Sequence, residues 1–198
     1  MAAWSVDAAR TVADGVVLVV PGDDPERSGP ADSNASDSGP APWGADRTVT
    51  GGESRADSVR AGLGAVPDEA TVIVVHDAAR PLAPPSLFAA VVEAVLVDGA
   101  SCAIPVLPVT DTLKRAADGV IVSTLDRDGL VTVQTPQAFS AATLRAAHRE
   151  GGQTTDDAGL VEQMGVAVHT VPGDPRNLKI TRPEDLDLAE ALMVEAPR

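Results

Sequence analysis

The chain has 198 residues, a formal charge of −14, 44 % hydrophobic and 22 % charged residues. This is the profile of one globular domain of ordinary size, and it argues against a disordered chain. The acidity also argues against a protein that coats nucleic acid or an anionic membrane, since a basic footprint dominates such binding. Two Trp, two Phe and no Tyr leave the core to Val, Leu, Ile and Ala.

Apolar runs rich in β-branched residues predict strands at 15–20 (GVVLVV), 71–75, 101–106, 120–123, 131–133 and 167–171. Helical spacing predicts helices at 57–66, 86–98, 141–149, 156–164 and 183–194. The last has Pro183 at its first turn and carboxylates at its positive end. Continuous apolar runs between helices indicate strands covered on both faces, so the expected fold is α/β, with a mostly parallel sheet flanked by helices. The stretch 21–50 is crowded with Pro, Gly, Ser and Asp and is expected to be a flexible surface insertion. The lone Cys102 excludes an intrachain disulfide and a four-Cys zinc site, and reads as a small buried core residue. No apolar run approaches the roughly 20 residues of a membrane helix, and the N-terminus lacks a basic region followed by an apolar core. A cytoplasmic protein with no membrane or nucleic-acid partner is the default expectation.

Five segments carry candidate chemistry. Gly51-Gly52-Glu53-Ser54-Arg55 precedes a helix, where glycines and a helix N-terminus admit an anion, or simply make a turn and a cap. His76-Asp77-Ala78-Ala79-Arg80-Pro81 follows a buried strand, where open α/β sheets bind ligands. There Asp77 suits a ligand hydroxyl or a metal, Arg80 suits a phosphate, and His76 reads as a structural hydrogen-bonder. Residues 108–115 lead through a hairpin-like stretch to Asp126-Arg127-Asp128 and on to Gln134-Thr135-Pro136. Thr154-Thr155-Asp156-Asp157 reads as a helix cap. Lys179, one of only two lysines, lies between a strand and the last helix and is the best candidate for a functional cation.

Taken in order, GGESRADSV (51–59), VHDAARPL (75–82), PVTDTLKR (108–115), LDRDGL (125–130), QTPQAF (134–139), TDDAGLVEQMG (155–165) and NLKITRPEDLDLAEAL (177–192) resemble the 2-C-methyl-D-erythritol 4-phosphate cytidylyltransferase family. The resemblance runs from residue 4 to about 192, apart from 21–50. It implies a single Rossmann-like domain of the nucleotide-diphospho-sugar transferase type. It also implies a homodimer built by a β-arm at about 108–130, and transfer of a cytidylyl group from CTP to the alditol phosphate with release of pyrophosphate. By the same resemblance Gly52, Glu53, Ser58 and Ala78 contact the nucleotide. Asp77, Arg80, Thr112, Thr135 and Thr155 hold the sugar-alcohol phosphate, and Lys179 and Arg127 are catalytic, with Arg127 reaching into the partner's site. Magnesium would ride mainly on the CTP phosphates, with no dedicated protein cage. Glu53 departs from the family's Asp. The sequence also opens at what resembles the helix after the family's first strand and Gly-rich loop. A chain lacking that loop is expected to be impaired, with an exposed sheet edge or a groove. A catalytically degenerate paralogue and a ribitol 5-phosphate cytidylyltransferase are the alternative readings.

Overall fold

The computed structural model describes residues 1–22, 42–152 and 154–194. In chain order the elements are α1 (Ala2–Ala9), β1 (Val17–Val20), a 3₁₀ turn (Pro42–Gly44), β2 (Arg47–Thr50), α2 (Arg55–Ala65), β3 (Val72–Val75), α3 (Pro85–Leu96) and β4 (Cys102–Pro108). They continue with β5 (Lys114–Ala117), β6 (Val120–Thr124), β7 (Val131–Val133), β8 (Gln137–Ser140), α4 (Ala141–Glu150), α5 (Asp157–Gln163), β9 (His169–Pro172) and α6 (Glu184–Val194).

The fold is α/β and Rossmann-like, and β4 is its centre. β4 pairs in parallel with β9 on one side and in antiparallel fashion with β8 and β7 on the other, while β8 pairs antiparallel with β3. β3, β4 and β9 therefore point the same way, as expected, and β8 is a reversed strand inserted between β3 and β4. The reversal arises because β7 and β8 belong to one passage of chain running back along β4: Gln134 N–H, between them, donates to Pro105 C=O at 2.9 Å. The sequence signal missed β8 because Gln137-Ala138-Phe139-Ser140 is short and has no β-branched residue.

Two-residue alternation along these strands divides the core. Ile73, Cys102, Ile104 and Phe139 face α2, α4 and α5 and pack with Leu63, Leu144 and Val161. Ala103 and Ala138 face the other way and pack under Val91, Ala94 and Val95 of α3. Cys102 is fully buried, and burial pushes its thiol up to about 12, so it is a packing residue as expected.

β1 and β2 form a separate parallel ladder, with Val17 to Val20 opposite Arg47 to Thr50. α1 covers it through Val6 against Leu18 and Val20, and also reaches α3 through Ala8 against Phe88. The sheet thus comes in two hydrogen-bonded pieces beneath shared helices. The expectation of a flexible insertion across 21–50 needs correction at its end: Arg47-Thr48-Val49-Thr50, three of them β-branched, is a strand. Residues 23–41 lie outside the described residues.

β5 and β6 form an antiparallel hairpin closed by Asp118 and Gly119, both at positive φ (50° and 78°). That is the conformation a two-residue primed turn demands, and Asp-Gly is among the pairs that adopt it readily. Every residue of both strands is exposed, including Val120, Ile121 and Val122. The hairpin lies within the segment 108–130. Among the described residues no helix is long and apolar enough to cross a membrane.

Candidate functional site

At one end of the central sheet an open cleft of about 760 Å³ is bounded by the segment after β3, the β7–β8 passage, the start of α5 and the segment before α6. Arg55, Asp77, Arg80, Thr135, Thr155 and Lys179 line it. Its position is set by the sheet: Asp77 and Arg80 follow the end of β3, and Lys179 is carried back over that end when Ile180 N–H donates to Ala79 C=O at 2.8 Å.

Asp77 is the hub. One carboxylate oxygen lies 2.9 Å from Lys179 Nζ and the other 3.3 Å from Arg55 Nε. Burial pushes its carboxyl up, but the two cations outweigh burial and hold it below the ordinary carboxylate range. Arg55 extends the network inward, its Nη1 donating to Asp157 Oδ2 at 2.7 Å, and Asp157 Oδ1 lies 2.9 Å from His148 Nε2. The Asp157 side chain is only 1 % exposed. Burial raises its carboxyl too, and the His148 hydrogen bond and Arg55 more than offset that.

Arg80 does not brace Asp77 directly. Its Nη1 donates to Asn177 C=O at 2.8 Å, and burial lowers its pKa, a loss that nearby Asp77 partly offsets. Asn177, fully buried, donates in turn to Thr135 C=O at 2.9 Å. The Thr135 hydroxyl accepts from Asp77 N–H at 3.0 Å and lies 3.1 Å from His76 Nδ1, while His76 Nε2 is 3.2 Å from Arg80 C=O. A carbonyl only accepts, so Nε2 carries a proton and donates to Arg80 C=O; in the neutral ring Nδ1 accepts from the Thr135 hydroxyl. Burial lowers the His76 pKa to about 4, in keeping with its expected structural role.

Five of the expected residues, Asp77, Arg80, Thr135, Thr155 and Lys179, come together here. The other six lie elsewhere. Gly52, Glu53 and Ser58 sit at the start of α2, outside the cleft lining, and Ala78 is exposed beside it. Gly52 N–H donates to Ser58 Oγ at 3.2 Å, and a Cβ on Gly52 would fall 2.3 Å from that of Asp57, so a glycine is required there by the capping turn alone. Ser54 and Asp57 close that turn as a reciprocal capping box. Thr112 and Arg127 lie at the arm, where Arg127 Nη1 donates to Thr110 C=O. In a single chain neither reaches the cleft lining.

Arg55, Gln137, Asp157 and Asn177 fall within the motifs quoted above but carry no ligand-holding assignment from the sequence. Arg55 had a signal, an Arg at the first position of a helix after paired glycines. In the sequence Asp157 reads as part of a cap, a role that Asp156 fills by accepting from Gly159 N–H at 3.0 Å.

A layered α/β domain with a cleft at its strand ends, lined by Arg55, Arg80 and Lys179 together with Asp77, Asp156 and Glu162, is of the Rossmann-like class, in which ligands bind at such strand ends. Residues 2–195 match the model of the family IspD: 2-C-methyl-D-erythritol 4-phosphate cytidylyltransferase, and the chain belongs to that family. It is 55 % identical over 147 residues to the 2-C-methyl-D-erythritol 4-phosphate cytidylyltransferase of Frankia casuarinae, covering 73 % of this chain and 55 % of that protein. It is 54 % identical over 148 residues to the protein of the same name from Nocardia farcinica, covering 74 % and 64 %. The match therefore spans less than two thirds of these relatives' length. Among solved structures, the enzyme of that name from Thermus thermophilus superposes with a TM-score of 0.79 at 36 % identity, over 96 % of this chain and 87 % of that one.

Proposed function

We propose that this chain transfers a cytidylyl group from CTP to 2-C-methyl-D-erythritol 4-phosphate, releasing pyrophosphate, as a cytoplasmic homodimer. The observation that carries the reading is the convergence of Lys179, Arg80 and Arg55 with Thr135 and Thr155 on one cleft, within a chain of the family just described. The relatives are named for the methylerythritol substrate, which favours it over ribitol 5-phosphate.

In this reading an oxygen of the alditol phosphate attacks the α-phosphorus of CTP. The new P–O bond forms as the α–β anhydride bond breaks, and pyrophosphate leaves with the electron pair. The nucleophile is ionised at neutral pH, so no residue need remove a proton, and catalysis consists of positioning and charge neutralisation. Lys179 meets the alditol phosphate or the α-phosphate, while Arg80, its guanidinium held by Asn177 C=O and Val133 C=O, brings its positive charge to the same cleft. Asp77 holds Lys179 and Arg55 apart in fixed directions. No group of three His, Cys, Asp or Glu among the described residues is arranged to hold a metal, and both oxygens of Asp77 are engaged. Magnesium would ride on the CTP triphosphate, where it would neutralise phosphate charge. Thr112 and Arg127 would enter the cleft of a partner chain on the exposed arm.

The test is pyrophosphate release from CTP with methylerythritol phosphate, and with ribitol 5-phosphate in a parallel reaction. Turnover with the first and not the second is expected; release with neither, or faster with ribitol 5-phosphate, overturns the assignment.

A further inference from the structure

His148 belongs to α4 and is not part of the cleft lining. Its side chain is 3 % exposed. Nε2 is engaged with Asp157, while Nδ1 is buried without a hydrogen-bond partner among the described residues. For packing alone this is a poor choice. An apolar side chain would fill the seam between α4 and α5 without desolvating a ring nitrogen that finds no partner. Among the described residues the ring makes one hydrogen bond, and that bond begins a continuous series. His148 holds Asp157 at 2.9 Å, Asp157 holds Arg55 at 2.7 Å, Arg55 holds Asp77 at 3.3 Å, and Asp77 holds Lys179 at 2.9 Å.

Five side chains from α4, α5, α2 and the segments after β3 and β9 are thus joined end to end. Each carboxylate divides its two oxygens between two partners, and the Arg55 guanidinium divides its N–H groups between two carboxylates. While both ends are engaged, neither carboxylate can rotate about its Cβ–Cγ bond without breaking a charge-assisted hydrogen bond. Freeing one Asp157 oxygen lets that carboxylate turn toward Arg55 alone. The guanidinium then follows, and Asp77 with it.

We propose that His148 is a positioning residue: from outside the cleft it fixes Asp157, and through Arg55 and Asp77 it sets the place of the Lys179 ammonium that meets the phosphate-bearing substrate. Its kinetic consequence rests on the cytidylyl-transfer reading; its structural consequence does not.

The experiment uses the contrast between His148→Leu, which removes the donor, and His148→Gln, whose amide N–H restores it. The first readout needs no substrate. The chain has two lysines, so reductive ¹³C-methylation gives two lysine resonances, assigned through Lys114→Arg. In folded His148→Leu the Lys179 resonance is expected to move toward that of the exposed Lys114, and in His148→Gln to stay at its original position. Asp157→Asn, which cuts the series one link further on at nearly constant volume, must move it in the same direction and decides the matter if His148→Leu does not fold. A Lys179 resonance unmoved in a folded Leu or Asn variant overturns the proposal, as does a Gln variant displaced as far as Leu.

The second readout is steady-state turnover, in which His148→Leu is expected to lower kcat/KM about tenfold and His148→Gln to restore most of it. Equal loss in both variants contradicts positioning. A wild-type chain that releases no pyrophosphate refutes the functional reading and leaves the resonance test standing.

Discussion

The cleft wall and the β5–β6 arm solve opposite problems with the same kinds of residue. In the wall and directly behind it, Arg55 and Asp77, then Asp157, His148 and Asn177, are held by partners on other elements of the same chain, and the buried members are placed to within a hydrogen bond. In the arm, Lys114 bonds Thr124 across its own hairpin and Arg127 bonds nearby Thr110, while Val120, Ile121 and Val122 are 66 %, 58 % and 61 % exposed. A wall of this kind is preorganised by folding. An arm of this kind carries apolar surface that no described residue covers, and in the dimer proposed above a second copy would cover it.

The contrast can be broken most forcefully in the wall. Asp157→Ala leaves Arg55 half-paired and His148 without its acceptor, and is expected to cost about 3–5 kcal/mol in denaturant unfolding; a loss below about 1 kcal/mol would show that the network is not a folding constraint. Acid gives the next largest effect. The unfolded chain protonates His76 near its ordinary value of 6.5, whereas the folded chain does so only near 4, so stability complete above 6.5 is lost between those values, by about 3 kcal/mol. Asp77 and Asp157, held below the ordinary carboxylate range, add their loss only as pH falls below about 4. Denaturant titrations at pH 7 and pH 4.5 check this, and His76→Gln should flatten the difference.

Lys179→Ala separates function from folding. It is expected to lower kcat/KM about 100-fold. Because its ion pair is 44 % exposed at the lysine, stability should change by less than about 1 kcal/mol; unfolding of that variant would make Lys179 structural. The smallest effect on the folded chain is expected in the arm. Ile121→Asp should change monomer stability by about 0.5 kcal/mol or less while shifting sedimentation from dimer to monomer, and a variant that remains dimeric removes the arm from the interface.

Much of this was legible in the sequence, and the boundary has a physical cause. Strands buried in the sheet announce themselves as unbroken apolar runs, so β3 and β4 fell where expected, whereas β7, exposed along its length, was legible from its β-branched residues. β2 was hidden because it is only four residues long and follows a Pro- and Gly-rich stretch. β5 was hidden because Lys114-Arg115-Ala116-Ala117 has no strand composition and is held by its turn. Among site residues, Asp77, Arg80 and Lys179 were legible because they are charged residues at element ends. Asp157, His148 and Asn177 were not, because their significance lies in burial against residues distant in sequence. Asp157 and Arg55 are 102 positions apart. Thr112 and Arg127 show the converse: their motifs are plain in sequence, but one folded chain does not bring them to the cleft.

Lys179→Ala and Arg127→Ala chains, each inactive alone in pyrophosphate release from CTP and methylerythritol phosphate, are mixed after reversible dissociation. If each site takes Lys179 from one chain and Arg127 from its partner, half the dimers are mixed and each mixed dimer has one intact site. Activity should then return to about a quarter of wild type. No recovery on mixing, or full activity of Arg127→Ala alone, contradicts a site shared between the cleft of one chain and the arm of another.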